Sequence, residues 1–359
     1  MWPDRRILDL FNIELPIVQA PMAGVGGSAM AIAAAEAGGL GSLPCAVLGA
    51  DDMRAEVGII RQQTSNPINL NFFCHQPVEV TAEHETTWRK TLAPFYEEYG
   101  LDTSSTAPAV ARAPFGDMQC EIVEDFKPEV VSFHFGLPAA DLLARVKTAG
   151  CLVISSATSV AEAAWLAAQG CDAIIAQGYE AGGHRGIFMS DDISTQAGTM
   201  ALVPQVVDAV DVPVIAAGGI TDGRGIAAAF ALGASAAQIG TAYMFTPEAK
   251  ITDMHRAALA DARDDQTALT NLFSGRPARS LINRVMREVG PMSSDAPPFP
   301  AAGGGLAPLK SKAEAEGRAD FSSLWSGQAA SLGRQMSSQD LTKKLADDAA
   351  ALIKALGSH

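Results

Sequence analysis

Residues 213–241, PVIAAGGITDGRGIAAAFALGASAAQIGT, hold two apolar runs separated by an alanine-rich stretch. The first run ends in Gly218-Gly219, and Thr221-Asp222 then supplies residues that favour the N-terminus of a helix. Runs that are apolar on both faces are typical of parallel strands that helices cover on both sides. The stretch therefore predicts a strand, a helix and a second strand.

The same unit recurs along the chain. Eight apolar runs alternate with helical patterns: PIVQAPM (16–22), GLGSLPC (39–45), INLNFFC (68–74), VVSFHFG (130–136), CLVISSA (151–157), AIIAQG (173–178), PVIAAGG (213–219) and AAQIGTAYM (236–244). Eight βα units in about 245 residues match the size of a (β/α)8 TIM barrel. We predict this barrel for residues 1–245, and a doubly wound open sheet is the alternative.

Two segments depart from the repeat. Residues 75–129 separate the third and fourth runs, and the repeat stops after the eighth run, before the Pro/Gly-rich PPFPAAGGG (297–305). We predict a second, mainly helical domain inserted after strand eight, over residues 246–334, as a lid on one barrel face. The i, i+4 spacing of leucines in the last segment, 335–359, predicts a C-terminal helix that returns to the barrel.

The composition excludes several classes of protein. The 359 residues carry 26 Lys plus Arg and 40 Asp plus Glu, a formal net charge of −14, without the basic run that a nucleic-acid binder needs. The uncharged segment 225–247 is long enough to span a bilayer, but its Ala and Gly content favours a buried helix and strand. Five cysteines without a CxxC pair, and no signal-peptide pattern, predict a cytoplasmic protein. We expect a monomer or a homodimer.

Glycine turns end two neighbouring strands of the predicted barrel. Gly218 and Gly219 follow strand seven, and Gln238-Ile239-Gly240-Thr241 ends strand eight. Barrel active sites lie at these strand ends, and the loops after strands seven and eight commonly bind phosphate through backbone N–H groups. The pair predicts a phosphate-bearing cofactor or substrate; the alternative is that the glycines only form tight turns. No G-x-x-x-x-G-K-[ST] motif and no early G-x-G-x-x-G support ATP or a dinucleotide.

Amide and imidazole side chains occur at other strand ends. Asn71 and Gln177 can donate and accept at once, which suits the edge of a heterocycle, although bonds to neighbouring backbone are the alternative. His184 lies among Gly182, Gly183 and Gly186 in QGYEAGGHRG (177–186), which favours a catalytic imidazole over a structural one. His134 in SFHFG is predicted to face the same opening. No residue cluster has metal-ligand spacing, and no G-x-S-x-G motif supports a hydrolase.

Taken in order, the motifs resemble those of nitronate monooxygenases. The matching segments are PIVQAPMAGV, NLNFFCH, FHFG, QGYEAGGHRG, PVIAAGGI, QIGTAY and DFSSLWSGQ (320–328). The resemblance implies an FMN-containing (β/α)8 barrel that uses oxygen to convert alkyl nitronates, such as propionate 3-nitronate, or nitroalkanes to carbonyl compounds and nitrite. It implies that the following residues contact FMN: Met22, Asn71, Gln177, Gly182, its neighbour Gly183, Gly218, Gly219, Gln238, Ile239, Gly240 and Thr241.

The resemblance also implies catalytic roles for two histidines. His184 matches the family's catalytic histidine, and His134 matches a second imidazole that faces the flavin. We expect protonated His184, aided by His134, to hold the nitro group of a preformed nitronate, whereas a neutral nitroalkane needs His184 as the base. The chain has only four tyrosines, so its substrate side departs from that of relatives with several there.

Two other functions compete with this hypothesis. An NADH-dependent flavin reductase, acting on enoyl-acyl-carrier-protein or quinone, would use the same barrel and glycine turns. A non-catalytic protein that binds a phosphate ligand would keep the barrel without its chemistry. The LWSGQ segment and the FHFG strand favour the monooxygenase, by analogy between folds.

Overall fold

The computed structural model describes residues 2–103 and 113–357. Met1, residues 104–112 within the long segment after the third run, and residues 358–359 lie outside this described part. The strands are β1 (Ile17–Gln19), β2 (Gly41–Pro44), β3 (Ile68–Phe73), β4 (Val130–His134), β5 (Leu152–Ala157), β6 (Ala173–Gln177), β7 (Gly183–His184), β8 (Val214–Ala217), β9 (Ala236–Ile239), β10 (Thr267–Thr270) and β11 (Ala278–Leu281).

Helices alternate with strands up to β9, except that α4 and α5 both follow β3 and no α-helix lies between β6 and β7. They are α1 (Arg6–Phe11), α2 (Ser28–Glu36), α3 (Ala50–Gln63), α4 (Ala82–Glu98), α5 (Asp117–Phe126), α6 (Ala140–Thr148), α7 (Val160–Ala168), α8 (Thr199–Val207), α9 (Gly223–Ala231), α10 (Asp253–Ala260), α11 (Arg284–Val289), α12 (Ala302–Ala315) and α13 (Ser338–Leu356).

Eight parallel strands form the barrel. They pair in the order β1-β9-β8-β6-β5-β4-β3-β2, one within each predicted run. The ring closes where Gln19 N–H donates to the Leu40 carbonyl and Leu40 N–H donates to the Ile17 carbonyl, both at 2.9 Å. The predicted (β/α)8 barrel is confirmed, and the open sheet is excluded because the edge strands meet. The eighth strand is shorter than its run, since Thr241–Phe245 forms a 3-10 helix.

Helix α1 closes the N-terminal mouth of the barrel. Its buried Ile7, Leu8 and Phe11 pack with Val130 and Ala173, the first residues of β4 and β6. An apolar plug at this end leaves the opposite mouth, at the C-terminal ends of the strands, as the opening. Polar side chains at those strand ends are therefore the ones that can meet a ligand.

A second hydrophobic cluster lies outside the barrel. Helix α4, from the segment after β3, packs against α12, from the segment after β9. The buried members of the cluster include Trp88, Leu92, Phe95, Leu272, Leu306, Leu309 and Phe321. The hairpin β10–β11 belongs to the same region, and the sequence patterns did not predict it. Two distant parts of the chain thus build one unit, whose predicted limits, 246–334, stay a prediction.

Helix α13 lies against α9 and α2 of the barrel. Leu341, Leu345 and Ala349 are buried in the barrel's outer core, and the hydroxyls of Tyr243 and Thr342 lie 2.6 Å apart. Across the ranges 2–103 and 113–357, no helix has both the length and the apolar character needed to cross a membrane.

Candidate active site

A cavity opens at the C-terminal ends of the barrel strands. The predicted site residues that line it are Met22, Asn71, His134, Gln177, Gly182, Gly183, His184, Gly218, Gly219, Gln238, Gly240 and Thr241. Ile239 is fully buried beneath this surface and is not part of the lining. Residues from six barrel strand ends therefore converge, as the fold predicts.

One end of the cavity consists of backbone from neighbouring strands. Gly218 and Gly219 have φ angles of +114° and +69°, which residues with a Cβ rarely adopt. Among the described residues, the N–H groups of Gly219, Ile220, Gly240 and Thr241 meet no acceptor. Helix α9 begins at Gly223, just after the first turn. Unpaired amides beside a helix N-terminus form an anion site. We call these four residues the amide end of the cavity.

Gln238 presents an unsatisfied acceptor in the cavity wall. Its Oε1 is buried and has no hydrogen-bond partner among the described residues. A buried amide oxygen without a donor is costly, so a ligand that brings an N–H group here would recover that energy. This feature fits a heterocycle that carries a donor on its edge.

The amides of Asn71 and Gln177 are engaged with the protein. The Asn71 NH₂ group donates to Ser132 Oγ at 2.9 Å. Gln177 Nε2 donates to the His184 carbonyl at 3.0 Å, while its Oε1 accepts the Gly186 N–H at 2.7 Å. Gln177 therefore fixes the loop that carries His184. The predicted contacts of both amides with a cofactor stay predictions.

Arg185 anchors the same loop from below. Its side chain is fully buried and donates to the Gln177 carbonyl at 2.8 Å and to Gln196 Oε1 at 2.7 Å. Burial lowers the pKa of this guanidinium to about 10, so it stays charged at neutral pH. The charge is held by neutral oxygens, which makes the loop conformation costly to change.

His184 stands at the opposite end of the cavity from the amide end. Strand β7 pairs with β11, with His184 opposite Ala278, and the His184 Nε2 lies 2.8 Å from Ser274 Oγ. The imidazole ring is surrounded by aromatic rings at centroid distances of 5.4–6.1 Å: Phe73, Phe135, Phe299 and Trp325. We call this group of rings the aromatic wall.

His134 lies beneath the His184 loop. Its Nε2 is 3.2 Å from the His184 carbonyl, and its Nδ1 is 3.1 Å from Ser156 Oγ. Because a carbonyl only accepts, Nε2 donates and Nδ1 accepts from the serine. Burial lowers the pKa of His134 to about 4, and the nearby Arg276 and Arg185 add to this effect. His134 is therefore neutral at pH 7, and its predicted role beside His184 stays a prediction.

Several residues at the site were missed by sequence reasoning. Phe73 and Trp325 line the cavity and lay within quoted motifs, INLNFFC and DFSSLWSGQ, without being assigned to the site. Ser274 and Phe299 are about 90 and 115 positions from His184, as their numbers show, and no local pattern marks them. Among the described residues, no cluster of His, Cys, Asp or Glu could hold a metal ion.

Comparisons with known proteins identify the family of this chain. The family model described as nitronate monooxygenase matches residues 4–348. A nitronate monooxygenase of Paraburkholderia phytofirmans is 42% identical over 344 residues, covering 95% of this chain and 94% of that protein. A nitronate monooxygenase of Pseudomonas aeruginosa is 39% identical, covering 96% and 98%.

Solved structures share the fold of this chain. Nitroalkane oxidase from Streptomyces ansochromogenes matches with a TM-score of 0.88 and 39% identity, over 98% of this chain and 99% of that chain. FabK from Thermotoga maritima matches with a TM-score of 0.73 and 26% identity, over 100% and 99%. The family model spans nearly the whole chain, and the relatives above match it over almost their full lengths. This chain belongs to the nitronate monooxygenase family.

Proposed function

We propose that this chain is an FMN-dependent nitronate monooxygenase, which uses oxygen to convert alkyl nitronates to carbonyl compounds and nitrite. The observation that carries the proposal is one cavity with the amide end for a phosphate and His184 within the aromatic wall at the other end. Membership of the family supports the reaction.

The family is flavin-dependent, and the residues present fit a flavin mononucleotide. The unpaired amides suit one phosphate, and Gln238 Oε1 suits a ring N–H. Met22, Asn71, Gly182 and Gly183 would complete the cofactor contacts. When bound, the flavin supplies the electron transfer from substrate and the reaction with oxygen.

His184 is the group that we assign to the substrate. For a preformed nitronate, its protonated imidazole would hold the anionic nitro oxygens by a charge-assisted hydrogen bond. For a neutral nitroalkane, the same imidazole would remove the α-proton as general base. We favour the first role. Neutral His134 supports the His184 backbone and does not share the charge.

The aromatic wall excludes water from this end of the cavity. Phe73, Phe135 and Phe299 form one buried cluster, and Trp325 closes the side next to His184. A low-polarity wall strengthens the attraction between an imidazolium and an anionic nitro group. The wall also favours an alkyl chain as the remainder of the substrate.

The cellular context of this reaction is part of the proposal. In the described part of the chain all five cysteines are free and buried, which fits reduced thiols in a cytoplasm. We propose a cytoplasmic enzyme, either a monomer or a homodimer, that acts on a small nitronate and oxygen.

Two measurements test the proposal together. Heat-released cofactor is identified by chromatography and mass, and should be FMN in a 1:1 ratio to protein. Nitrite formation and oxygen uptake are then followed with an alkyl nitronate, beside NADH oxidation with a quinone. Nitrite formation without NADH oxidation supports the monooxygenase. A colourless protein, or NADH oxidation without nitrite, refutes it in favour of the phosphate-binding protein or the flavin reductase.

A further inference from the structure

We propose that Ser274 is a positioning residue that fixes the imidazole of His184, an inference that rests on the proposed function of this cavity. Ser274 Oγ lies 2.8 Å from His184 Nε2, and the serine is only 2% exposed. Ser274 does not line the cavity, so it acts on the reaction only through His184.

The hydrogen bonds around the hydroxyl determine which atom carries the proton. A serine hydroxyl has one donor and two acceptor positions. Ser274 Oγ lies 3.3 Å from the Arg276 carbonyl, which can only accept, and 3.4 Å from the Arg276 N–H, which can only donate. The position left for His184 is the second lone pair of Oγ. We therefore assign a proton to His184 Nε2, which donates it to Ser274 Oγ.

The serine itself is held in a rigid turn. Gly275 N–H donates to the Asn271 carbonyl at 2.7 Å, and a Cβ on Gly275 would lie 2.3 Å from the Pro297 carbonyl oxygen. Strand β11 follows this turn and pairs with β7 at His184. The backbone of His184 and the tip of its ring are thus attached to the same short segment, residues 271–281.

This arrangement selects one of the two orientations of the ring. A 180° flip about the Cβ–Cγ bond would exchange Nε2 with Cε1, and Ser274 would then face a carbon. The hydroxyl would lose its strongest partner in a water-excluded place, so the flipped ring is disfavoured. Ser274 therefore keeps the imidazole in one orientation and keeps the proton at Nε2, as the third group of an acid–base site commonly does.

The test uses the holoenzyme with Ser274→Ala, and Ser274→Thr as the matched variant that keeps a hydroxyl. We expect Ser274→Ala to lower kcat for an alkyl nitronate about tenfold to hundredfold, with a much smaller change in KM and no change in FMN content. Ser274→Thr should restore most of kcat. Equal kcat in wild type and Ser274→Ala would overturn the inference.

A spectroscopic measurement decides the inference independently of turnover. Proton–nitrogen correlation spectra of the imidazoles are recorded on the wild-type holoenzyme, with the His184 signals assigned by their absence in His184→Asn. We expect a protonated Nε2 in the wild type and in Ser274→Thr, and a mixture of ring states in Ser274→Ala. An unprotonated Nε2 in the wild type would overturn the inference, even if Ser274→Ala does not fold. If the wild type oxidises no nitronate, the proposed function fails, and these spectra still decide the role of Ser274.

Discussion

The two ends of the cavity differ in how the chain builds them. The amide end comes from adjacent turns on two neighbouring barrel strands, β8 and β9, and its functional groups are backbone N–H groups. The His184 end gathers β7, the turn before β11, Phe299 and Trp325, which are far apart in sequence. The amide end depends on the barrel fold, whereas the His184 end depends on packing between segments that are distant in sequence.

The largest effect on activity should follow from removing the imidazole at the His184 end of the cavity. His184→Asn should lower kcat/KM for an alkyl nitronate by about hundredfold to thousandfold, because it removes the charged or basic group. FMN content should stay unchanged, since the amide end is untouched. Steady-state kinetics and the visible spectrum check this, with His84→Asn, on α4, as the control. Unchanged turnover would remove His184 from the mechanism.

A substitution of His134 tests whether this side chain, which lies beneath the His184 loop, is neutral in the folded protein. Its folded pKa, about 4, lies below the usual value near 6.5, so the folded protein resists protonation. The resulting stability is fully present above pH 6.5 and is lost as the pH falls towards 4. Relative to His134→Gln, the wild type should lose about 2 kcal/mol of unfolding free energy between pH 8 and pH 5. Denaturant unfolding at several pH values measures this loss. If the unfolding free energies of wild type and His134→Gln depend on pH in the same way, the pKa of His134 is not lowered.

The amide end should be sensitive to a substitution in its glycine turn, where an added Cβ would also lie 3.2 Å from Glu180 Cβ. Gly219→Ala strains a turn at φ +69° and should weaken FMN affinity about tenfold. Gly150→Ala is the matched control, because it introduces the same kind of strain at φ +91° in open space away from the cavity. Fluorescence titration of the apoprotein with FMN gives both affinities. Equal affinities for the two variants would contradict the assignment of the phosphate to this end.

The smallest effect should come from the unsatisfied oxygen of Gln238. Gln238→Leu should weaken FMN affinity about fivefold, the value of one modest hydrogen bond. Gln205→Ala, on the exposed face of α8, should change nothing. If FMN binds more tightly to Gln238→Leu than to the wild type, the oxygen does not meet a donor on the cofactor.

The same contrast explains what could be predicted from the sequence. The glycine turns and His184 lie at the ends of apolar runs, so local pattern and fold geometry together located them. The hairpin β10–β11 was not predicted because its strands, TALT and ARSL, are short. In addition, an arginine usually indicates an exposed position, whereas Arg279 is only 2% exposed. Its guanidinium donates to the Tyr179 carbonyl at 2.9 Å, a partner a hundred positions away that no local pattern reveals.

The side-chain chemistry at the His184 end could not be predicted from the sequence either, because it depends on partners that are distant in sequence. The neutral state of His134 follows from its burial and from two partners, Ser156 and the His184 carbonyl, which only the folded chain brings together. The pairing of Ser274 with His184 likewise depends on the turn that precedes β11.

The central claim is that the cavity passes electrons from a nitronate, and not from NADH, to a bound flavin. An anaerobic titration of the purified holoenzyme with an alkyl nitronate, beside a titration with NADH, tests it most directly. We predict that the nitronate removes the visible absorbance of the oxidised flavin and that NADH leaves it unchanged. Rapid bleaching by NADH, with no response to the nitronate, would contradict the account and identify a reductase.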